Sequence, residues 1–177
     1  MINYQRKLHR QQYKVTHPLL RFRKISPHVL VFVKKYLVPG STVSVDSFPW
    51  ALDIDVHRIY ELKQYEHLFK KTNSTEFLTS MINLPRDIEC DNLILCGISE
   101  FKYKNWSEVV DMVVKISTAS QHKIIVAFPI TVLFFHRLKY SYHAIMDQIS
   151  ERFLEKGLVC QDKILDIDIA YFALSKK

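Results

Sequence analysis

Glycine is what this 177-residue chain most conspicuously lacks: Gly40, Gly97 and Gly157 are the only three. A loop that grips a nucleotide or nucleoside cofactor turns tightly and lets bare backbone press on the ligand, which ordinarily takes closely spaced glycines. No such cluster is present. The phosphate-cradling loop of nucleoside triphosphatases and the serine nucleophile elbow are missing too, as is any paired-carboxylate motif. Long apolar runs are equally scarce. The longest, Ile124 to Phe135, contains Pro129 and Thr131 and falls short of the roughly 20 residues that span a bilayer. Met1 to Lys7 has no secretory apolar core, so a cytoplasmic location is expected, with Cys90, Cys96 and Cys160 as free thiols. The three cysteines and eight histidines fall in no zinc spacing, and no metal is expected.

Acidic residues are absent from the first quarter. Before Asp46 stand Arg6, Lys7, Arg10, Lys14, Arg21, Arg23, Lys24, Lys34 and Lys35 with no aspartate or glutamate, leaving sixteen of the 25 bases against all 18 acids. The whole excess of +7 therefore sits in that segment. Residues 1–25 read as a basic N-terminal arm, either simply solvated or able to hold the phosphates of an anionic partner such as nucleic acid. Tyr4, Tyr13 and Phe22 interleave with the bases, loosely in the manner of sites that stack single strands.

What is present from Ser26 onward is an ordered domain, residues 26–177. Ser26-Pro27 reads as a helix cap followed by proline at the first helical position, with Val29, Leu30, Val33, Tyr36 and Leu37 at helical spacing and Pro39-Gly40 as the stop. Val43 and Val45 mark a short strand. Ala51 to Phe69 fits either period, and a helix is the expectation there. Glu76 to Ile82 and the apolar run Asp91 to Gly97 read as strands, the second buried on both faces. Asn105 with Glu108 forms a capping box for a helix to about Ser117. Lys123 to Phe128 is a strand ended by Pro129, and Ser141 to Lys156 a helix stopped by Gly157. Leu158 to Leu165 and Asp168 to Leu174 are too closely joined to be anything but an antiparallel pair. The sum is an α/β domain: a mostly parallel, Rossmann-like sheet flanked by helices and closed by a C-terminal antiparallel hairpin.

This layout, from Pro39 to Lys177, resembles the class I S-adenosylmethionine-dependent methyltransferases. Pro39 to Trp50 is similar to that family's first strand and cofactor loop, Asp91 to Phe101 to its fourth strand and acidic-aromatic loop, Ile124 to Pro129 to its fifth strand, and Gly157 to Lys177 to its final hairpin. The resemblance implies cofactor contacts at Asp46, Ser47, Phe48, Trp50, Gly97 and Ser99, and an acceptor side at Glu100, His136 and Tyr140, with His143 nearby. It departs at the first loop, where the family's acid falls on Ser44 and its two glycines on Asp46 and Trp50. An added carboxylate and indole oppose the usual cofactor pose. For the ribose-binding acid the nearest candidates are Asp53 and Asp55. Two readings follow: a divergent methyltransferase acting on a small-molecule or saccharide-like acceptor, or a non-enzymatic module that has lost the cofactor and binds an anionic or protein partner through its arm. Cys96 reads as a small core residue rather than a nucleophile.

Overall fold

The computed structural model describes residues 26–46, 54–63, 66, 75–95, 106–129, 142–166 and 169–177. Seven strands form one sheet: β1 (Thr42–Val45), β2 (Arg58–Leu62), β3 (Thr75–Leu78), β4 (Cys90–Leu95), β5 (Ser120–Pro129), β6 (Leu158–Asp166) and β7 (Ile169–Lys176). Their order across the sheet is β3-β2-β1-β4-β5-β7-β6. β3 through β5 run parallel, with Val43 opposite Leu93 and Val45 opposite Leu95. Only β7 runs against them, pairing antiparallel with both β5 and β6. Among the described residues three helices flank the sheet: α1 (Pro27–Tyr36), α2 (Trp106–Ile116) and α3 (Tyr142–Glu155).

Side-chain alternation divides the sheet into two faces. Val43, Val45, Tyr60, Leu62, Leu93, Leu95, Ile124, Val126 and Phe172 pack with Val109, Val113 and Ile116 of α2 and Ile145, Ile149 and Phe153 of α3. Ile94, Ile125, Ala127, Ile169 and Tyr171 pack on the other face against Val29, Phe32 and Val33 of α1. With both faces covered, the inner strands read as continuous burial rather than alternation; all four residues of β1 are buried.

One expectation fails here. A helix is expected in the stretch after Trp50, yet Arg58–Leu62 within it forms β2. The helical match of Val56, Ile59 and Tyr60 was incidental, because Tyr60, Glu61 and Leu62 are all buried and a strand between two neighbours hides successive residues on opposite faces. The boundaries of the third strand also shift. It ends at Leu78, and Met81–Asn83 forms a 3-10 turn.

Two local devices set the entry into β1. Gly40 sits at φ +137, and a Cβ there would lie 2.1 Å from Asp91 Oδ2. The carboxylate packs on that bare backbone while accepting from Ser41 N–H (2.7 Å) and Ser41 Oγ (3.1 Å). These bonds hold the Asp91 carboxyl below its ordinary range. Asn92 grips both ends of Val38: its Oδ1 accepts from Val38 N–H (2.9 Å) and its Nδ2 donates to Val38 O (2.8 Å). Pro27 occupies the first turn of α1 as expected, but Ser26 does not cap with its side chain.

Candidate functional site

In an open parallel sheet the natural binding crevice lies outside the C-terminal strand ends, where the connections diverge. Here that place is the junction of β1 with β2 and β4, and Asp46 stands at it. Asp46 is the first residue after β1, is 3% exposed, and has φ +44. It is the one non-glycine residue with positive φ among the described residues. Its N–H donates to Tyr60 O at 2.8 Å, continuing the β1–β2 ladder one step past the strand. The left-handed conformation, disfavoured for a residue with a Cβ, is thus adopted by a residue whose amide is still tied to β2. This is the position at which the sequence resemblance places a glycine.

β2 supplies what the sequence reading missed. Val45 pairs with Tyr60, so the next register step sets Asp46 beside Glu61, whose exposure is 0%. Tyr60 and Leu62 belong to the face covered by α2 and α3, so alternation sends Glu61 to the opposite face. Ser44 lies on that same face, fully buried, and its Oγ has no hydrogen-bond partner among the described residues. Thr42 and Asn92 extend the strip toward the strand starts, with Asn92 Nδ2 donating to Thr42 Oγ1 (3.3 Å). A polar band thus runs along β1 on a face that is otherwise apolar. Glu61 escaped notice because it was assigned to a helix; strand periodicity starting from Arg58 would have found it.

Asp55 lies elsewhere. It precedes β2 beside His57, whose Nδ1 accepts from Thr42 N–H at 3.0 Å, which puts it at the strand starts, the edge remote from Asp46. His143 is exposed on the first turn of α3. Ser47, Phe48, Trp50, Asp53, Cys96, Gly97, Ser99, Glu100, His136 and Tyr140 lie outside the described residues, as does Asn105 of the expected capping box. No group of three or more metal-ligating side chains occurs among the described residues. Burial pushes the Cys90 thiol up to about 11 and raises that of Cys160 as well, so at neutral pH both are thiols rather than nucleophilic thiolates. No described helix is long and apolar enough to cross a membrane.

No protein-family model matches the chain, and no curated protein sequence matches it. Solved structures do. The N-methyltransferase NodS from Bradyrhizobium japonicum WM9 superposes with a TM-score of 0.57 at 8% identity, over 91% of this chain and 98% of that one. Magnesium protoporphyrin IX methyltransferase (ChlM) from Synechocystis PCC 6803, with bound SAM, gives 0.52 at 9% identity over 98% and 97%. The fibrillarin pre-rRNA processing protein of Methanococcus jannaschii gives 0.59 at 10% identity over 85% and 74%. The fold is therefore that of the class I S-adenosylmethionine-dependent methyltransferases. At these identities the likeness fixes architecture and leaves the chemistry to the site.

Proposed function

We propose that the chain is a divergent S-adenosylmethionine-dependent methyltransferase whose cofactor site lies at the C-terminal ends of β1, β2 and β4. The observation that carries the reading is the pair Asp46 and Glu61. At the end of β1 the backbone keeps a left-handed turn despite carrying an aspartate, and at the end of β2 a carboxylate is buried where no apolar packing calls for one. A carboxylate is the natural acceptor for two vicinal ribose hydroxyls, and Glu61 takes the role for which Asp53 and Asp55 were the nearest candidates. On the resemblance, Asp46, Ser47, Phe48 and Trp50 are assigned to the amino-acid end of the cofactor, and Gly97 and Ser99 to its nucleoside. The chemistry of the donor set fits a nucleoside. It departs from the family at Ser44, which offers a hydroxyl where the family has an acid.

When bound, the sulfonium cofactor supplies an activated methyl group. The protein then has mainly to hold an acceptor in line and exclude water, so few catalytic side chains are required. Glu100, His136 and Tyr140 are the groups assigned to the acceptor side; Glu100 or His136 takes up the proton that an O–H or N–H acceptor releases. The acceptor is not set by the sheet, since similar folds include proteins named for porphyrin methylation and for pre-rRNA processing.

Titration of the intact chain with S-adenosylhomocysteine in a calorimeter tests the reading. Saturable heat of micromolar order, weakened by substitution of Glu61, is expected; a flat trace refutes it. One observation favours a second reading, a silent binding module on the same fold: a buried aspartate, Asp46, stands where the resemblance places a glycine. That reading pairs a flat trace with salt-dependent association through the basic arm.

A further inference from the structure

We propose that the cofactor site selects against a carboxylate: its preferred occupant is an adenosine thioether or sulfonium whose sulfur arm carries an amine and no carboxylate. This preference rests on the function proposed above, which puts a nucleoside at this edge, and adds to it the charge of the arm.

The turn at the end of β1 decides where a side chain goes. About the N–Cα bond of an L-residue, passing from an extended φ to a positive one carries Cβ to roughly the direction that the carbonyl carbon had before. At φ +44 the Cβ of Asp46 therefore lies on the continuation of β1, while the main chain turns aside. The N–H of the same residue donates to Tyr60 O at 2.8 Å, so its Cα is held at the last step of the ladder. The side chain thus starts out past the strand end, toward the crevice in which open parallel sheets bind their ligands.

A second acid stands beside it. Glu61 follows the Val45–Tyr60 pair by one register step; it is 0% exposed and Asp46 3%. Neighbouring strands lie about 4.8 Å apart, so two buried acids mark the ends of adjacent strands. Lys63, the base that follows β2, is exposed, where solvent screens it. A ligand carboxylate brought to this place meets like charge where little water is left to weaken the repulsion. An ammonium meets the opposite sign.

Ser44 is independent of both acids. It pairs with Ile59 and with Ile94, and Ile94 packs on the α1 face, so alternation turns Ser44 Oγ to the face that Glu61 occupies. It lies two residues short of Asp46, about 6.6 Å down the strand. Its Oγ is fully buried and has no hydrogen-bond partner among the described residues, a state that buried hydroxyls ordinarily avoid. An ammonium has three N–H donors. It can give one to the Asp46 carboxylate and another, directly or through one water, to Ser44 Oγ. A carboxylate has no proton to give and could take the hydroxyl's only while facing both acids. Against the resemblance, this chain holds a carboxylate at the end of β1 in place of one inside it.

In an amino-acid arm the ammonium and the carboxylate hang from one carbon, so both signs approach Asp46 together and their effects offset. Taking away either group separates them. The test is calorimetric titration of the full chain with S-adenosylhomocysteine, its decarboxylated analogue, its deaminated analogue and 5′-methylthioadenosine, which has neither group. The decarboxylated compound should bind about tenfold or more tighter than S-adenosylhomocysteine and 5′-methylthioadenosine, the worth of a hydrogen bond to a charged group, and the deaminated compound should bind most weakly. Asp46→Asn keeps a residue for which the left-handed state is accessible and should erase most of the gap between the decarboxylated and deaminated ligands. Ser44→Ala should weaken the decarboxylated ligand by about twofold to tenfold and leave 5′-methylthioadenosine unchanged. S-adenosylhomocysteine binding as tightly as its decarboxylated analogue, an undiminished gap in Asp46→Asn, or equal losses of both ligands in Ser44→Ala would each overturn the proposal and leave the methyltransferase reading standing. Heat from none of the four ligands would overturn both.

Discussion

Asp46→Gly and Asp46→Ala, compared with each other, isolate the backbone strain at the end of β1. Both variants lose whatever the buried carboxylate contributes, so their difference depends on φ +44 alone. A residue with a Cβ in the left-handed region costs about 1–2 kcal/mol, whereas glycine gives back about 0.5–1 kcal/mol through the extra freedom of its unfolded chain. Glycine should therefore be the more stable variant by about 0.5–1 kcal/mol, reversing the usual order of the two residues. For a chain of this size that corresponds to about 1–4 °C in Tm. Urea unfolding followed by far-UV circular dichroism gives the difference directly, with m unchanged between the two because the buried surface is the same. If Asp46→Ala equals or exceeds Asp46→Gly, the turn after β1 is not left-handed in solution. The structural link between this loop and a glycine-bearing cofactor loop then fails with it.

Glu61→Gln should leave the fold intact, since a neutral amide is easier to bury than a carboxylate, yet lower affinity for S-adenosylhomocysteine about tenfold or more, the worth of a hydrogen bond to a charged group; unchanged calorimetric affinity would remove Glu61 from the site. Gly40→Ala should destabilise the protein by about 2 kcal/mol or more, because the added Cβ displaces the Asp91 carboxylate at a strained φ; a Tm within a degree of the parent would contradict the close packing seen there. Tyr36→Phe should alter the acid side of the stability curve. The Tyr36 hydroxyl, foremost, holds the Asp162 carboxyl below its ordinary value, so the unfolded chain takes up this proton first as pH falls. That stability is complete above about pH 4 and is lost as pH falls through the lower folded value. Thermal scans from pH 7 to pH 3 should therefore show a smaller acid-side loss in the variant than in the parent, with the two curves converging in acid; parallel curves would count against it.

The parts of the fold that could be read in advance are those where one physical signal acts alone. Leu93, Ile94 and Leu95, buried on both faces, could only be an inner strand, and Gly157 between α3 and β6 could only be a stop. The hairpin of β6 and β7 was forced by the shortness of its connection. What escaped was β2, where Leu52, Ile54 and Val56 alternate just ahead of the true strand and Tyr60 to Leu62 are hidden by neighbours on either side. Local periodicity carries no information about those neighbours. The same blindness concealed Glu61, since a buried acid is recognised only once the strands that bury it are known. Asp46 shows the converse. Its alignment with a glycine was legible from the resemblance, but its left-handed backbone and its bond to Tyr60 O are contained in no one-dimensional pattern.

The residue type bears on why a carboxylate is tolerated there. The amide of Asp46 is fixed by the peptide plane that follows Val45, so its bond to Tyr60 O does not depend on the φ that Asp46 adopts. The left-handed turn costs a residue with a Cβ about 1–2 kcal/mol, and aspartate is among the few such residues for which that state is accessible. The left-handed turn is therefore compatible with aspartate where the resemblance places a glycine, and the turn by itself is no evidence that the cofactor binds. The measurement that separates the two is ligand binding by Asp46→Gly: restored space and removed charge should tighten S-adenosylhomocysteine if the aspartate merely encroaches on an existing site. Weaker binding would instead make the carboxylate part of the site itself.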